Sequence, residues 1–169
     1  FRSFAEAADQ VFWILDLSPE RFVYVNPAFE RLWGYGIEDL YRSPGLWKEA
    51  LHSEDRPHVA AAVGNWVRGM PGARYDAEYR IVRPDGQIRW VADRRFILKR
   101  KGGVTSRIAG IAEDITEQKR VDEALRQANA GLEERVQSRT AELERSHQLL
   151  QALTAVQESI QEEERKRIA

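Results

Sequence analysis

The sequence predicts an antiparallel α+β domain, a five-stranded sheet with helices on one face, followed by one long coiled-coil helix. Three observations carry this. All five Trp, five Tyr and six Phe residues lie between Phe1 and Phe96, and all six prolines lie between Pro19 and Pro84, whereas Thr116 to Ala169 has no aromatic, no proline and a single glycine, Gly131. Aromatics with turn formers mark a compact mixed domain, and a stretch dominated by Glu, Gln, Arg, Leu and Ala marks a helix. The β-rich runs come as two, then helical segments, then three. That is the order of a chain that leaves a sheet, covers one face and returns as a meander. Past the boundary near Asp114-Ile115-Thr116, leucines recur at helical spacing. The expected domains are 1–115 and 116–169.

Val11 to Leu17 and Arg21 to Val25 are short β-rich runs around Ser18-Pro19-Glu20, a hairpin turn. Asn26-Pro27 offers a capping side chain before a proline in the first turn and starts a helix reaching Trp33. Ser53 or Asp55 opens a second helix to about Arg68, whose Val59, Val63, Trp66 and Val67 form one stripe, and Gly69 to Gly72 ends it. Tyr75, Ala77, Tyr79 and Ile81 alternate with Asp76, Glu78 and Arg80 in the third strand. Pro84-Asp85-Gly86 is a strong turn, because proline presets φ and glycine takes the left-handed position. Gln87 to Arg100 and Val104 to Ile115 form the last two strands around Lys101-Gly102-Gly103. In the first strand Val11, Trp13 and Leu15 point one way, yet Phe12 and Ile14 point the other, where a one-sided sheet would carry polar residues. A cap helix over residues 1–9, bearing Phe1, Phe4, Ala5 and Ala8, is expected to cover that second face; a dimer partner is the alternative.

Composition narrows the function. The chain is 43% apolar and 31% charged with a formal net charge of −1, enough for a core but too balanced for a nucleic-acid binder. The basic triplets Lys99-Arg100-Lys101 and Arg165-Lys166-Arg167 have acids nearby, and the second follows the coiled coil, the reverse of a leucine-zipper layout. No apolar run approaches the roughly 20 residues of a membrane span. The absence of Cys excludes disulfides, thiolate metal sites and a cysteinyl flavin adduct. The start, without an initiator Met or a signal-peptide layout, reads as that of an excised fragment, and the expected setting is cytoplasmic.

Several ordered pieces carry a family resemblance. They are Tyr24-Val25-Asn26-Pro27-Ala28-Phe29-Glu30 with Trp33-Gly34-Tyr35, then His52-Ser53-Glu54-Asp55-Arg56, Glu78-Tyr79-Arg80-Ile81 and Arg83-Pro84-Asp85-Gly86. Ile88-Arg89-Trp90-Val91 and Gly110-Ile111-Ala112-Glu113-Asp114-Ile115-Thr116-Glu117 close the set. Together they resemble the PAS sensory domain of bacterial sensor kinases over about residues 1–117; Ser53 departs from the proline of many relatives, but serine caps a helix well. Leu132-Glu133-Glu134-Arg135-Val136 through Leu143 resembles a histidine-kinase linker. Glu162 to Ala169 resembles the run before a phosphoacceptor histidine, which would lie a few residues beyond Ala169. The resemblance implies a non-catalytic sensory and dimerisation module of a two-component histidine kinase, acting on a response regulator through the kinase portion. A passive PAS dimerisation module without ligand, or an input to a diguanylate cyclase or transcription regulator, stays open beside it.

Within that frame the candidate residues are these. Asp114 and Thr116 sit where the last strand becomes the helix; either can cap its free amides, and the resemblance gives them a signal-relay role. Val121, Leu125, Ala128, Leu132, Val136, Leu143, Leu150, Leu153 and Ile160 form the coiled-coil core of a parallel homodimer. A stutter falls at Leu132/Val136, and Arg139 and Ser146 are polar knobs that weaken the middle of a rod of about 80 Å. Trp13, Tyr79, Trp90 and Phe96 are candidates to line a small-molecule pocket, with plain core packing as the competing reading. His58 is the one candidate haem ligand, in the place where some PAS domains carry one. It lies about 125° from the centre of the apolar stripe, so no cofactor is expected. His52 is expected to cap or orient its helix, and His147 to lie on the coiled-coil surface.

Overall fold

The computed structural model describes residues 8–69, 75–102 and 104–168. The chain divides into two units, residues 1–120 and 121–169. In the first, five strands run β1 (Val11–Leu17), β2 (Glu20–Val25), β3 (Tyr75–Val82), β4 (Ile88–Lys101) and β5 (Val104–Asp114). They form one sheet in the order β2-β1-β5-β4-β3, every pairing antiparallel. The β3-β4-β5 meander returns its last strand against β1, so the first and last strands of the domain are neighbours at the sheet centre.

Between β2 and β3 lie α1 (Ala28–Trp33), α2 (Ile37–Arg42), α3 (Leu46–Glu49) and α4 (Arg56–Arg68). Their apolar residues, among them Phe29, Trp33, Leu40, Trp47, Val59 and Trp66, join Val11, Leu15, Tyr79, Ile81, Val91 and Ile108 of the strands in one core. This is the five-stranded antiparallel α+β architecture expected from the sequence. The Pro84-Asp85-Gly86 turn forms with Gly86 at φ 80°, and Asp85 Oδ1 accepts the Gln87 N–H at 3.0 Å, as in an Asx turn.

Two expected helix caps are not caps. Asn26 is buried, but its Oδ1 accepts the Phe12 N–H and its Nδ2 donates to the Gln10 carbonyl, both at 2.9 Å. It stitches the end of β2 to β1, and the N-cap position of α1 falls to Pro27. Asp55 stands at the N-cap position of α4 without a side-chain bond to the helix; its carboxylate turns to Arg80 instead. In both cases a tertiary donor outcompetes the local amides. Of the expected cap helix over residues 1–9, residues 1–7 lie outside the described residues, and Ala8 and Asp9 are not helical.

The final helix, α5 (Thr116–Ile168), contains 53 residues. Its first turn belongs to the sheet-bearing unit and the rest, from Val121, to the second. No helix among the described residues is long and apolar enough to cross a membrane.

Candidate functional site

The sheet and the short helices enclose a cavity of about 30 Å³. Its walls are mostly apolar, but β4 sends two charged residues into it, Asp93 and Arg95, 1% and 2% exposed. Asp93 Oδ2 accepts from the Tyr79 hydroxyl at 2.9 Å, from Arg95 Nε at 2.8 Å and from Arg95 Nη2 at 2.6 Å. The guanidinium carbon lies 4.5 Å from the ring centre of Trp47, 5.0 Å from Tyr75 and 5.3 Å from Trp13. A buried ion pair survives when it is hydrogen-bonded and compensated, and three aromatic faces add cation–π attraction. Burial works against the charge of Arg95, yet the charge of Asp93 holds its pKa above the ordinary value. Burial, reinforced by Asp93, pushes the Tyr79 hydroxyl well above its usual pKa, so it remains a donor.

One glycine makes this arrangement possible. Gly110 pairs with Trp13 on one side and Arg95 on the other, and a Cβ there would run into the Trp13 indole. The missing side chain lets the indole lie on the strand and meet the guanidinium.

Of the four expected pocket residues, Trp13 and Tyr79 line the cavity. Trp90 and Phe96 do not, which corrects that expectation. Tyr79 pairs with Val91, so Val91, Asp93 and Arg95 share its face and the even-numbered Trp90 and Phe96 fall on the other. The expectation also missed Asp93, Arg95, Trp33 and Trp47. A signal existed for the first two: between Val91 and Ile97, two charges occupy the alternate positions of a strand face otherwise apolar.

On that other face Trp90 lies between two cations, with Arg80 at 5.6 Å and Lys119 at 5.2 Å from its ring centre. Arg80 is held by Asp55 at 2.6 Å and Glu54 at 2.7 Å, and Lys119 pairs with Glu78. The hydrogen bonds from Arg80 lower the pKa of Asp55 below the usual carboxylate range. His52, Glu54 and Asp55 stand close enough to share a cation, but both carboxylates are already engaged by Arg80. His52 Nδ1 accepts the Glu54 N–H at 3.4 Å, a local contact at the approach to α4. His58 is exposed on α4 and does not line the cavity. The residues present therefore do not fit haem: the cavity is far smaller than a macrocycle and the one candidate ligand lies outside it.

At the junction Asp114 Oδ1 accepts the Thr116 N–H at 2.9 Å, as a cap should. Thr116 is buried, and its hydroxyl oxygen accepts the Trp90 backbone N–H at 2.9 Å rather than an amide of its own helix. The Ile115 N–H donates to the Trp90 carbonyl at 2.9 Å, and Arg89 reaches Asp114 at 3.4 Å. The start of α5 is thus pinned to β4 beside Trp90. In the second unit Val121, Leu125, Leu132, Val136, Leu143, Leu150, Leu153 and Ile160 are each more than half exposed, and Ala128, Arg139, Ser146 and His147 are exposed as well.

A five-stranded antiparallel sheet with a helical cover and a tryptophan-lined core makes this an α+β domain. A family model described as the PAS fold matches residues 22–112, more than half of the chain, and the chain belongs to that family. A crystal structure of a sensory box histidine kinase/response regulator from Burkholderia thailandensis is similar at 27% identity with a TM-score of 0.62, over 78% of this chain and 96% of that one. A methyl sulfide methyltransferase-associated sensor of Methanosarcina acetivorans is 30% identical over 101 residues, 59% of this chain. An uncharacterized protein of Sinorhizobium fredii is 28% identical over 130 residues, 76% of this chain. The chain spans 15% and 10% of the length of these two relatives, the Sinorhizobium and Methanosarcina proteins respectively.

Proposed function

We propose that this PAS domain is the input of a sensor histidine kinase and acts on it through a parallel coiled coil formed by α5 of two copies. The observation that supports this most is the pinning of α5 to β4. Asp114, Ile115 and Thr116 are hydrogen-bonded within the junction and to Trp90, so no slack linker separates the sheet from the helix. The same helix then carries a row of leucines and valines that are exposed among the described residues. Apolar residues repeating at heptad spacing on an otherwise charged helix are covered when a second helix packs on them. Arg139 and Ser146 interrupt the seam, and polar knobs beside a stutter allow two packings of similar energy, the bistable element a signal needs. The similarity to a histidine kinase/response regulator structure, at 27% identity, supports kinase output to a response regulator.

The test is insertional. Each residue added to α5 after Thr116 rotates the downstream seam by about 100°, and seven nearly restore it. In the intact parent protein, insertions of seven should keep regulated autophosphorylation, whereas insertions of three or four should fix the activity high or low. Asp114→Ala should leave the fold intact and uncouple input from output. Activity indifferent to insertion length would make the helix a tether and the domain a passive dimerisation element.

A further inference from the structure

Three buried polar atoms around the core cavity have no hydrogen-bond partner among the described residues: Asp93 Oδ1, Trp33 Nε1 and Trp47 Nε1. All three side chains line the same cavity, and none is more than 9% exposed. Leaving such groups unmade costs about 1–3 kcal/mol each, and natural cores seldom carry three together around one space. The set consists of one acceptor, a carboxylate oxygen, and two donors, the indole N–H groups. Arg95 is no part of the free set, because its Nε and Nη2 already donate to Asp93 Oδ2 and aromatic rings pack on its guanidinium.

The charge on the lining decides what fits. Asp93 and Arg95 cancel, so a ligand bearing net charge would enter a low-dielectric space without a counterion. Size is limiting too. A water centre needs about 10–15 Å³, so the space holds two or three water molecules, or a ligand of a few non-hydrogen atoms.

We propose that the core cavity recognises a small neutral molecule that both donates and accepts hydrogen bonds, the shared chemistry of short primary amides and alcohols. The donor of the ligand reaches Asp93 Oδ1, and its oxygen accepts from the indoles of Trp33 and Trp47. This rests on the reading of the domain as an input, and it makes β4 the sensing strand. The strand that carries Asp93 and Arg95 inward also carries Trp90, whose backbone N–H and C=O hold Thr116 and Ile115. A ligand drawing on Asp93 therefore acts on the strand that anchors α5.

The test is titration of the full-length, nitrogen-15-labelled chain, following its five indole N–H resonances, with acetamide, ethanol, acetate and ethylammonium. Acetamide or ethanol should shift the resonances of Trp33 and Trp47 saturably, with the millimolar dissociation constant expected of so few non-hydrogen atoms; the two ions should not. Trp33→Phe and Trp47→Phe keep the ring and delete the donor, and each should weaken binding by about three- to tenfold. If neither neutral probe gives a saturable shift, the cavity serves water or packing only; if the ions bind as well, it does not select a neutral ligand; either result overturns the proposal. The insertion experiment above does not depend on any ligand, so it separates a wrong ligand class from a wrong view of the module.

Discussion

The same residue types have opposite fates in the two units. Leu15, Ile81, Val91 and Ile108 are nearly or wholly inaccessible in the sheet-bearing unit, while Leu125, Leu143, Leu150 and Ile160 are more than half exposed beyond Val121. The first unit closes its core with its own helices. The second is a single helix whose apolar residues are exposed among the described residues. Ion pairs add to the contrast: the first unit encloses one of its pairs, Asp93–Arg95, whereas those described in the second, such as Arg139–Glu142 and Lys166–Glu162, are exposed neighbours on one helix. Exposed pairs of that kind contribute little. The first unit therefore carries a core of its own, and the exposed leucines of the second are what the proposed association would cover.

The largest expected effect falls on the helix. Leu143→Asp or Leu150→Asp places an uncompensated carboxylate in the seam at a cost of about 3–5 kcal/mol. Sedimentation equilibrium should show monomers, while the β signal in circular dichroism stays as in the parent chain. Loss of the sheet signal as well would erase the contrast between the units.

An effect of similar size belongs to the buried pair. Arg95→Met leaves Asp93 unpaired and should cost about 3–5 kcal/mol in chemical denaturation, whereas the double variant Asp93→Leu/Arg95→Met should recover most of it. A double variant no more stable than the single one would mean that the pair is needed for the fold itself.

Gly110→Ala should be milder, about 1–3 kcal/mol from overpacking against Trp13, with altered tryptophan fluorescence as its mark. An unchanged melting temperature would show that Trp13 is free to move off the strand.

The smallest effect is at the domain surface. The folded-state pKa of Asp55 is depressed by Arg80. Its contribution is therefore present above the ordinary carboxylate pKa of about 3.9 and is lost as pH falls through the lowered value. Asp55→Asn should be destabilised by about 1 kcal/mol at neutral pH, with the difference from the parent shrinking in acid. A difference that grew in acid would reverse the assigned sign.

The sequence by itself determined the succession of strands and helices along the chain, the proline-aspartate-glycine turn, the apolar stripe of α4 and the start of the long helix at Thr116. Each is written in local periodicity or turn chemistry, which act over a few residues. It also placed the leucines of α5 along one side of that helix, because 3.6-residue geometry alone does so. Tertiary structure decided which partners the polar side chains take. Asn26 and Asp55 look like helix caps in sequence, but donors from β1 and β3 reach them with better geometry. It also decided the cavity. Alternation along β4 sorts Trp90 and Phe96 from Asp93 and Arg95, but only the pairing of Tyr79 with Val91 says which set faces the helices. Trp33 and Trp47 come from short helices in a stretch rich in proline and glycine, where no period is long enough to fix a facing side. Packing against the sheet fixes it, and with it the polar lining of the core.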